Sequence, residues 1–290
     1  MAFLDQNPGI GYPLIAGLGL LVGSFLNVVI LRLPKRLEWE WKRDSREVLE
    51  LPEAEVYDPP PPGIVIERSH CPQCKRQLSW YENIPVFSWL ALRGRCRSCH
   101  NPISIQYPAV ELLTMVLLVL CAWRFGFGWQ GFGAMVFTCF LIPLAGIDLR
   151  TQYLPDNMTL PLMWLGLIAS SDNLYMPAKP ALLGVVAGYL SLWSVSWVYK
   201  QVKGRHGMGG GDFKLLAAIG AWVGLKGILP TILLSSLVGA IIGSIWLATK
   251  GRDHATPIPF GPYLAIAGWV SFFWGDQLIG SYLRLSGLQG

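Results

Sequence analysis

The sequence predicts an all-α polytopic membrane protein of about eight transmembrane helices, with one small soluble domain between the first and second. Three observations predict it. Of 290 residues, 52% are hydrophobic and only 14% are charged, which is too apolar for a typical soluble chain of this length. Long apolar runs recur along the chain, and a soluble protein with one large core would not need them. Third, the basic residues are distributed unevenly between the loops on the two sides. The net charge of +5 therefore acts by position, as an orientation signal, and not as a nucleic-acid-binding patch.

The apolar runs cover residues 10–31, 108–125, 130–147, 158–170, 181–199, 213–225, 228–249 and 260–283. The fourth and sixth are short for a hydrocarbon layer of ~30 Å, which asks for roughly 20 helical residues. Pro143, Pro161 and Pro230 fall in or near these runs, where neighbouring helices can satisfy the freed backbone groups. The first run has no basic residue before it and no small-residue cleavage site after it, so it reads as a span and not as a cleavable signal. Eight spans put both termini on one side. Of the 23 Lys and Arg, 18 then lie on the side of residues 32–107, and only Arg124, Lys179, Lys226 and Arg284 on the other. The basic side is expected in the cytoplasm and both termini outside. The expected division is a first span (1–31), a cytoplasmic domain (32–107) and a seven-helix membrane domain (108–290).

Within the soluble piece, residues 34–50 are charged and expected to be helical. Asp58-Pro59-Pro60-Pro61-Pro62-Gly63 is expected to be an extended linker, because stacked prolines favour polyproline II. Cys71-Pro72-Gln73-Cys74 and Cys96-Arg97-Ser98-Cys99 follow, with 21 residues between the pairs. Two such knuckles supply four thiolates to one tetrahedral ion, normally zinc. A redox pair is the alternative, although disulfides are disfavoured in a cytoplasmic loop. Four sulfur ligands leave no open position, so the ion is expected to be structural: a zinc ribbon in a domain too small for a large core of its own. His70 and His100 flank the cluster and read as bystanders. Cys121 and Cys139 read as packing residues of apolar spans.

The chemistry is expected from carboxylates. Asp148 closes one apolar run, and Asp212 opens another directly after Met208-Gly209-Gly210-Gly211. A carboxylate at a membrane boundary is costly unless it is solvated, paired or used. Both fall on the cytoplasmic side. If they approach within a few ångströms, they cannot easily both ionise and the pair shares a proton. One member then takes a proton from water while the other polarises a peptide carbonyl, which is aspartic-protease chemistry. Gly209, Gly210 and Gly211 would let backbone approach an extended peptide closely. The alternative is that Asp212 merely caps the next helix. A phosphate-cradling loop is weaker, since the P-loop spacing is absent. Asp156, after Pro155, reads as the cap of the fourth segment. Asn27 and Glu111 are polar positions in apolar runs that either serve a substrate or are satisfied by a neighbouring helix. An ion-coupled transporter or a non-enzymatic assembly factor would use such features differently: the first needs midplane charges, the second needs its cysteines but not its aspartates.

Four blocks resemble the bacterial type IV prepilin peptidases, which are GxGD aspartic proteases. They are residues 23–30 with Arg32-Leu33-Pro34; the four cysteines; Ile147-Asp148 through Leu154-Pro155-Asp156; and residues 207–216, around Gly209-Gly210-Gly211-Asp212. The late stretch 257–265 resembles the family too. The resemblance covers nearly the whole chain and implies that Asp148 and Asp212 are the catalytic pair and that Asp156 is not catalytic. It implies cleavage of a basic leader from prepilins and type II secretion pseudopilins at the cytoplasmic face of the inner membrane. It further implies S-adenosylmethionine-dependent methylation of the new N-terminus. Gly210 stands where bulkier residues are frequent in the family. No G-x-G-x-x-G fingerprint supports the methyltransferase independently. Its residues are looked for in the first cytoplasmic loop and at Glu111.

Overall fold

The computed structural model describes residues 2–49, 59–65, 67–204, 207–250 and 259–285. Glu50, Asp58, Arg205, Arg252 and the Pro257-Ile258 start of the late stretch lie outside them. The chain forms two compact units, Met1–Phe127 and Gly128–Gly290. The described residues hold helices and isolated β-bridges but no extended strand. Among the described residues, five helices are long and apolar enough to cross a membrane by length and composition.

The first unit holds α1 (Ala2–Gln6), α2 (Pro8–Val48), α3 (Phe87–Ala91) and α4 (Gln106–Phe125). The first span and the charged helix expected after it are one helix, α2, which runs through Pro34. Proline removes one amide donor there. The charged half beyond it is supported by pairs one turn apart, such as Lys42–Glu38 at 2.7 Å. The prolines that follow are tied back to this helix: Arg36 donates to the Pro61 carbonyl at 3.2 Å and Arg32 to the Gly63 carbonyl at 2.6 Å. Helix α4 packs along α2 and belongs to this unit.

The second unit holds α5 (Trp129–Thr151), α6 (Asp156–Ser171), α7 (Ala178–Lys203), α8 (Gly210–Lys250) and α9 (Gly261–Leu285). The two segments expected at 213–225 and 228–249 form one helical run, α8, broken at Gly224, where the backbone turns to φ 67°. The two halves differ in environment. Before the break, Phe213, Leu215, Leu216, Ile219 and Trp222 are all buried. A helix that is apolar all round belongs in the interior, and this half is the centre of the unit. After the break, Leu229, Leu233, Leu237 and Ile241 are exposed, as suits a lipid-facing helix. Around the central half, Phe137 of α5 meets Trp222 at 5.1 Å and Phe272 of α9 at 4.9 Å between ring centroids. The Trp222 indole N–H is satisfied by the Leu162 carbonyl of α6, at 2.9 Å.

Helix α7 reaches α8 through small residues. A Cβ on Gly184 would collide with the Gly220 carbonyl oxygen, and one on Gly220 with the Gly184 carbonyl oxygen. Backbone lies on backbone there, the close approach that small residues permit between membrane helices. Neither helix can yield without unseating the buried half of α8. Gly184→Leu is therefore expected to destabilise the second unit by about 3 kcal/mol or more. A lowered melting temperature in detergent, with loss of monodisperse protein, would show it; an unchanged melt would contradict the packing.

Candidate active site

The two aspartates arrive from opposite chain directions. Asp148 lies in the last turn of α5 and Asp212 in the first turn of α8. Both are buried, at 4% and 9% exposure. The start of α8 packs on the residues that follow α5, through Gly211 against Leu154 and Lys214 on Asp156, which brings the two aspartates to the same end of the unit. Neither is a helix cap. Helix α8 begins at Gly210, two residues before Asp212, and α5 ends at Thr151 with Gln152 as its C-cap, whose N–H bonds the Asp148 backbone carbonyl.

The two side chains are held differently. Asp148 Oδ2 accepts the backbone N–H of Gly261, the first residue of α9, at 2.9 Å. Asp212 Oδ1 is buried and accepts no hydrogen bond among the described residues. A buried carboxylate oxygen without a partner is costly, so such a group in a native protein calls for a functional explanation.

The glycines before Asp212 differ in what they face. A Cβ on Gly211 would come within 2.9 Å of Leu154 Cβ, so Gly211 is the residue that lets the start of α8 close on the α5–α6 connection. Gly210 faces open space, and a side chain there meets nothing within 4 Å. A Cβ on Gly209 would lie 3.9 Å from Asp212 Oδ2, an ordinary contact. Asp156 is not the cap expected from the sequence. Pro155 occupies the cap position, and Asp156, the first residue of α6, takes the Lys214 ammonium on both oxygens at 2.8 and 2.7 Å. Both side chains are part-exposed, so the pair is worth at most about 1 kcal/mol. It nevertheless ties the start of α6 to the start of α8, two residues from Asp212. The sequence reading missed this pairing and the Gly261 contact.

In the first unit, Asn27 and Glu111 are satisfied by neighbours. Asn27 Nδ2 donates to the Tyr107 carbonyl at 3.0 Å, and Glu111 Oε2 accepts the Val86 N–H at 2.7 Å. That second bond holds a residue with the unfavourable φ of 61°. The same unit carries the cysteines. The sulfurs of Cys71, Cys74, Cys96 and Cys99 all lie within 4.8 Å of one another. The two knuckles repeat one hydrogen-bond pattern. Cys71 N donates to Arg76 O and Lys75 N to Cys71 O; Cys96 N donates to Asn101 O and His100 N to Cys96 O. Lys75 and His100 are equivalent left-handed positions in the two turns, with φ of 59° and 56°. His100 therefore has a backbone role, and the ligand group contains neither it nor His70. The Cys74 N–H favours the Cys71 thiolate and holds that thiol below its usual range. The N–H groups of Cys99 and then Ser98 bring Cys96 down to about 6. Convergent sulfurs with amides aimed at them suit a tetrahedral metal ion. Between the knuckles, buried Glu82 accepts the Ser79 N–H and the Arg76 guanidinium, which hold its carboxyl below the ordinary range.

Residues 18–125 match the bacterial peptidase A24 N-terminal domain, and residues 135–244 match the type IV leader peptidase family. A prepilin leader peptidase/N-methyltransferase of Xanthomonas campestris pv. campestris is 70% identical over 289 residues, covering 100% of both chains. The chain belongs to the type IV leader peptidase family. Relatives carrying the same name in Pseudomonas aeruginosa and Stutzerimonas stutzeri are 52% and 50% identical, over 94% and 99% of this chain and 93% and 98% of theirs. No solved structure matches the chain. The leader-peptidase match spans most of α5, all of α6 and α7 and most of α8, and so includes both aspartates, while the N-terminal match spans the four cysteines.

Proposed function

We propose that this leader peptidase removes the basic leader from type IV prepilins and type II secretion pseudopilins at the cytoplasmic face of the inner membrane, and methylates the exposed N-terminus. The observation that carries the peptidase reading is the burial of Asp148 and Asp212 at adjoining helix ends, the last turn of α5 and the first turn of α8. The reaction needs one proton between them. The ionised carboxylate takes a proton from water as the water oxygen bonds the scissile carbonyl carbon, and the protonated one donates to the carbonyl oxygen. The resulting gem-diol collapses: the C–N bond breaks, the first carboxyl gives its proton to the leaving nitrogen, and a diol hydroxyl reprotonates the second. Asp148 and Asp212 are the catalytic pair, and the extended leader lies against the turn into α8 at Gly209 and Gly210; Gly211, expected in a substrate loop, instead lies inside α8 and packs on Leu154.

The apolar helix of a prepilin would pack among the membrane helices, with its leader in the cytoplasm beside the dyad. The cytoplasmic side carries most of the basic residues, and both termini face the periplasm. Cys71, Cys74, Cys96 and Cys99 hold a structural zinc ion, which would cross-link the two knuckles and take no part in cleavage. S-adenosylmethionine is the methyl donor for the second activity.

The test is to incubate the detergent-purified protein with a synthetic prepilin, with and without S-adenosylmethionine, and read product masses. The expected result is a leader-sized loss after glycine in both, with one further methyl group only when the donor is present. Intact substrate, with the protein folded and zinc-loaded, would point instead to a non-enzymatic assembly factor.

A further inference from the structure

The dyad is asymmetric in a way that the family match does not assign. Asp212 lies in the first turn of its own helix, and Asp148 lies in the last turn of α5 with the start of α9 against its carboxylate. The N-terminus of α9 favours negative charge on Asp148 and the C-terminus of α5 opposes it, so helix dipoles do not place the anion there. The hydrogen bonds do. Asp148 Oδ2 has a backbone donor at 2.9 Å, and a donated N–H stabilises the ionised form of a carboxylate. Asp212 Oδ1 is buried without a donor among the described residues. An oxygen so placed is poorly stabilised as an anion, and as a hydroxyl it has a hydrogen to give to a carbonyl arriving in the site.

We propose that Gly261 is the positioning residue of the active site: its N–H holds Asp148 as the anionic, proton-accepting member, and the shared proton resides on Asp212. The inference rests on the aspartate-dyad reading and adds the division of labour within it. Gly261 acts through two properties. Its amide is the donor, and its missing side chain gives the carboxylate room. A Cβ at this position would fall 2.8 Å from Asp148 Oδ2, 3.0 Å from Cγ and 3.2 Å from Cβ. Any other residue therefore displaces the Asp148 side chain while keeping the fold of α9, since its first position accepts most residue types. The titratable group at the start of α8 is Asp212, so displacing Asp148 also changes the separation on which proton sharing depends.

Two measurements test this. In Gly261→Ala, kcat for prepilin cleavage is expected to fall about 100-fold, the cost of a displaced catalytic group. KM should stay within about twofold, because substrate binding is not what changed. Gly280→Ala, in the same helix with nothing within 4 Å of its Cβ, should retain wild-type kinetics. Wild-type kcat in folded Gly261→Ala, alongside an inactive Asp148→Asn, would overturn the positioning role and leave the dyad standing; full activity of Asp148→Asn would remove both. The second measurement needs no variant. An aryl epoxide esterifies an ionised carboxylate by ring opening, whereas a copper-activated diazoacetyl ester esterifies a protonated one. Peptide mapping of the wild-type enzyme is expected to find the epoxide on Asp148 and the diazo adduct on Asp212. The reverse pattern, or equal labelling of both by each reagent, would overturn the assignment.

Discussion

Asp212→Asn is expected to lower prepilin cleavage about 1,000-fold, within the range that removal of a general acid or base produces, while the protein still inserts and folds. Asparagine matches aspartate in shape but holds no exchangeable carboxyl proton, so it cannot protonate the scissile carbonyl. The stability side is as informative. Asp212 Oδ1 makes no hydrogen bond among the described residues, so the substitution breaks no contact described at that atom. The melting temperature should be unchanged or higher, the mark of a residue kept for chemistry at a cost in stability. Asp148→Asn is expected to be equally inactive by another route. Its amide oxygen can still accept the Gly261 N–H, so the geometry at the start of α9 survives while the base is gone. Because the two aspartates act as one unit, the double variant should be no worse than either single variant. Leader cleavage assayed with all three, normalised to folded protein, checks this. Normal turnover by either single variant would remove the dyad, and additive losses would show that the two carboxylates act separately.

What the sequence made legible and what it did not follow from the range of each signal. Asp148 and Asp212 stood out because charge at the edge of an apolar run is expensive wherever the chain folds. The cysteines stood out because a metal knuckle is local: each CxxC builds its own turn, and the observed hydrogen bonds repeat from one knuckle to the other. The Gly261 contact joins residues 113 apart and the Lys214–Asp156 pair joins residues 58 apart. No periodicity encodes which polar groups meet after the helices pack. Asp156 was read as a cap because an aspartate after proline at a helix start is a common cap, but Pro155 took that position and left the carboxylate for Lys214. Helix boundaries failed where a breaker was tolerated. Pro34 did not end α2, and Gly224 bends α8 without a loop. The close crossing of α7 and α8 was missed although its signal was present, since Gly184 and Gly188 are four apart on an apolar helix and form a small-xxx-small face.

Removing the metal is the second large effect expected, and it is confined to the first unit. The protein should bind about one zinc per chain, because four thiolates complete one tetrahedron. A structural zinc site contributes about 10–16 kcal/mol of binding free energy near neutral pH, and that energy is folding energy for the segment that holds it. Little else organises the two knuckles. Each is a single turn closed by an isolated β-bridge, His70 to Gln77 and Arg95 to Pro102, and Trp80, Phe87 and Leu90 between them are exposed. Between the knuckles, buried Glu82 with Ser79 and Arg76 sits on a four-residue 3-10 turn, and Glu111 of α4 holds the Val86 N–H. Cys71→Ser with Cys96→Ser removes one ligand from each knuckle. The double variant is expected to lose its zinc and to expose residues 71–103 to limited proteolysis, while the second unit, which contributes no ligand, keeps its protease resistance. Metal analysis of the purified protein and mapping of the cleavage sites decide the matter. Retained zinc, or an unchanged digestion pattern after its loss, would mean that these knuckles are held by something other than the metal.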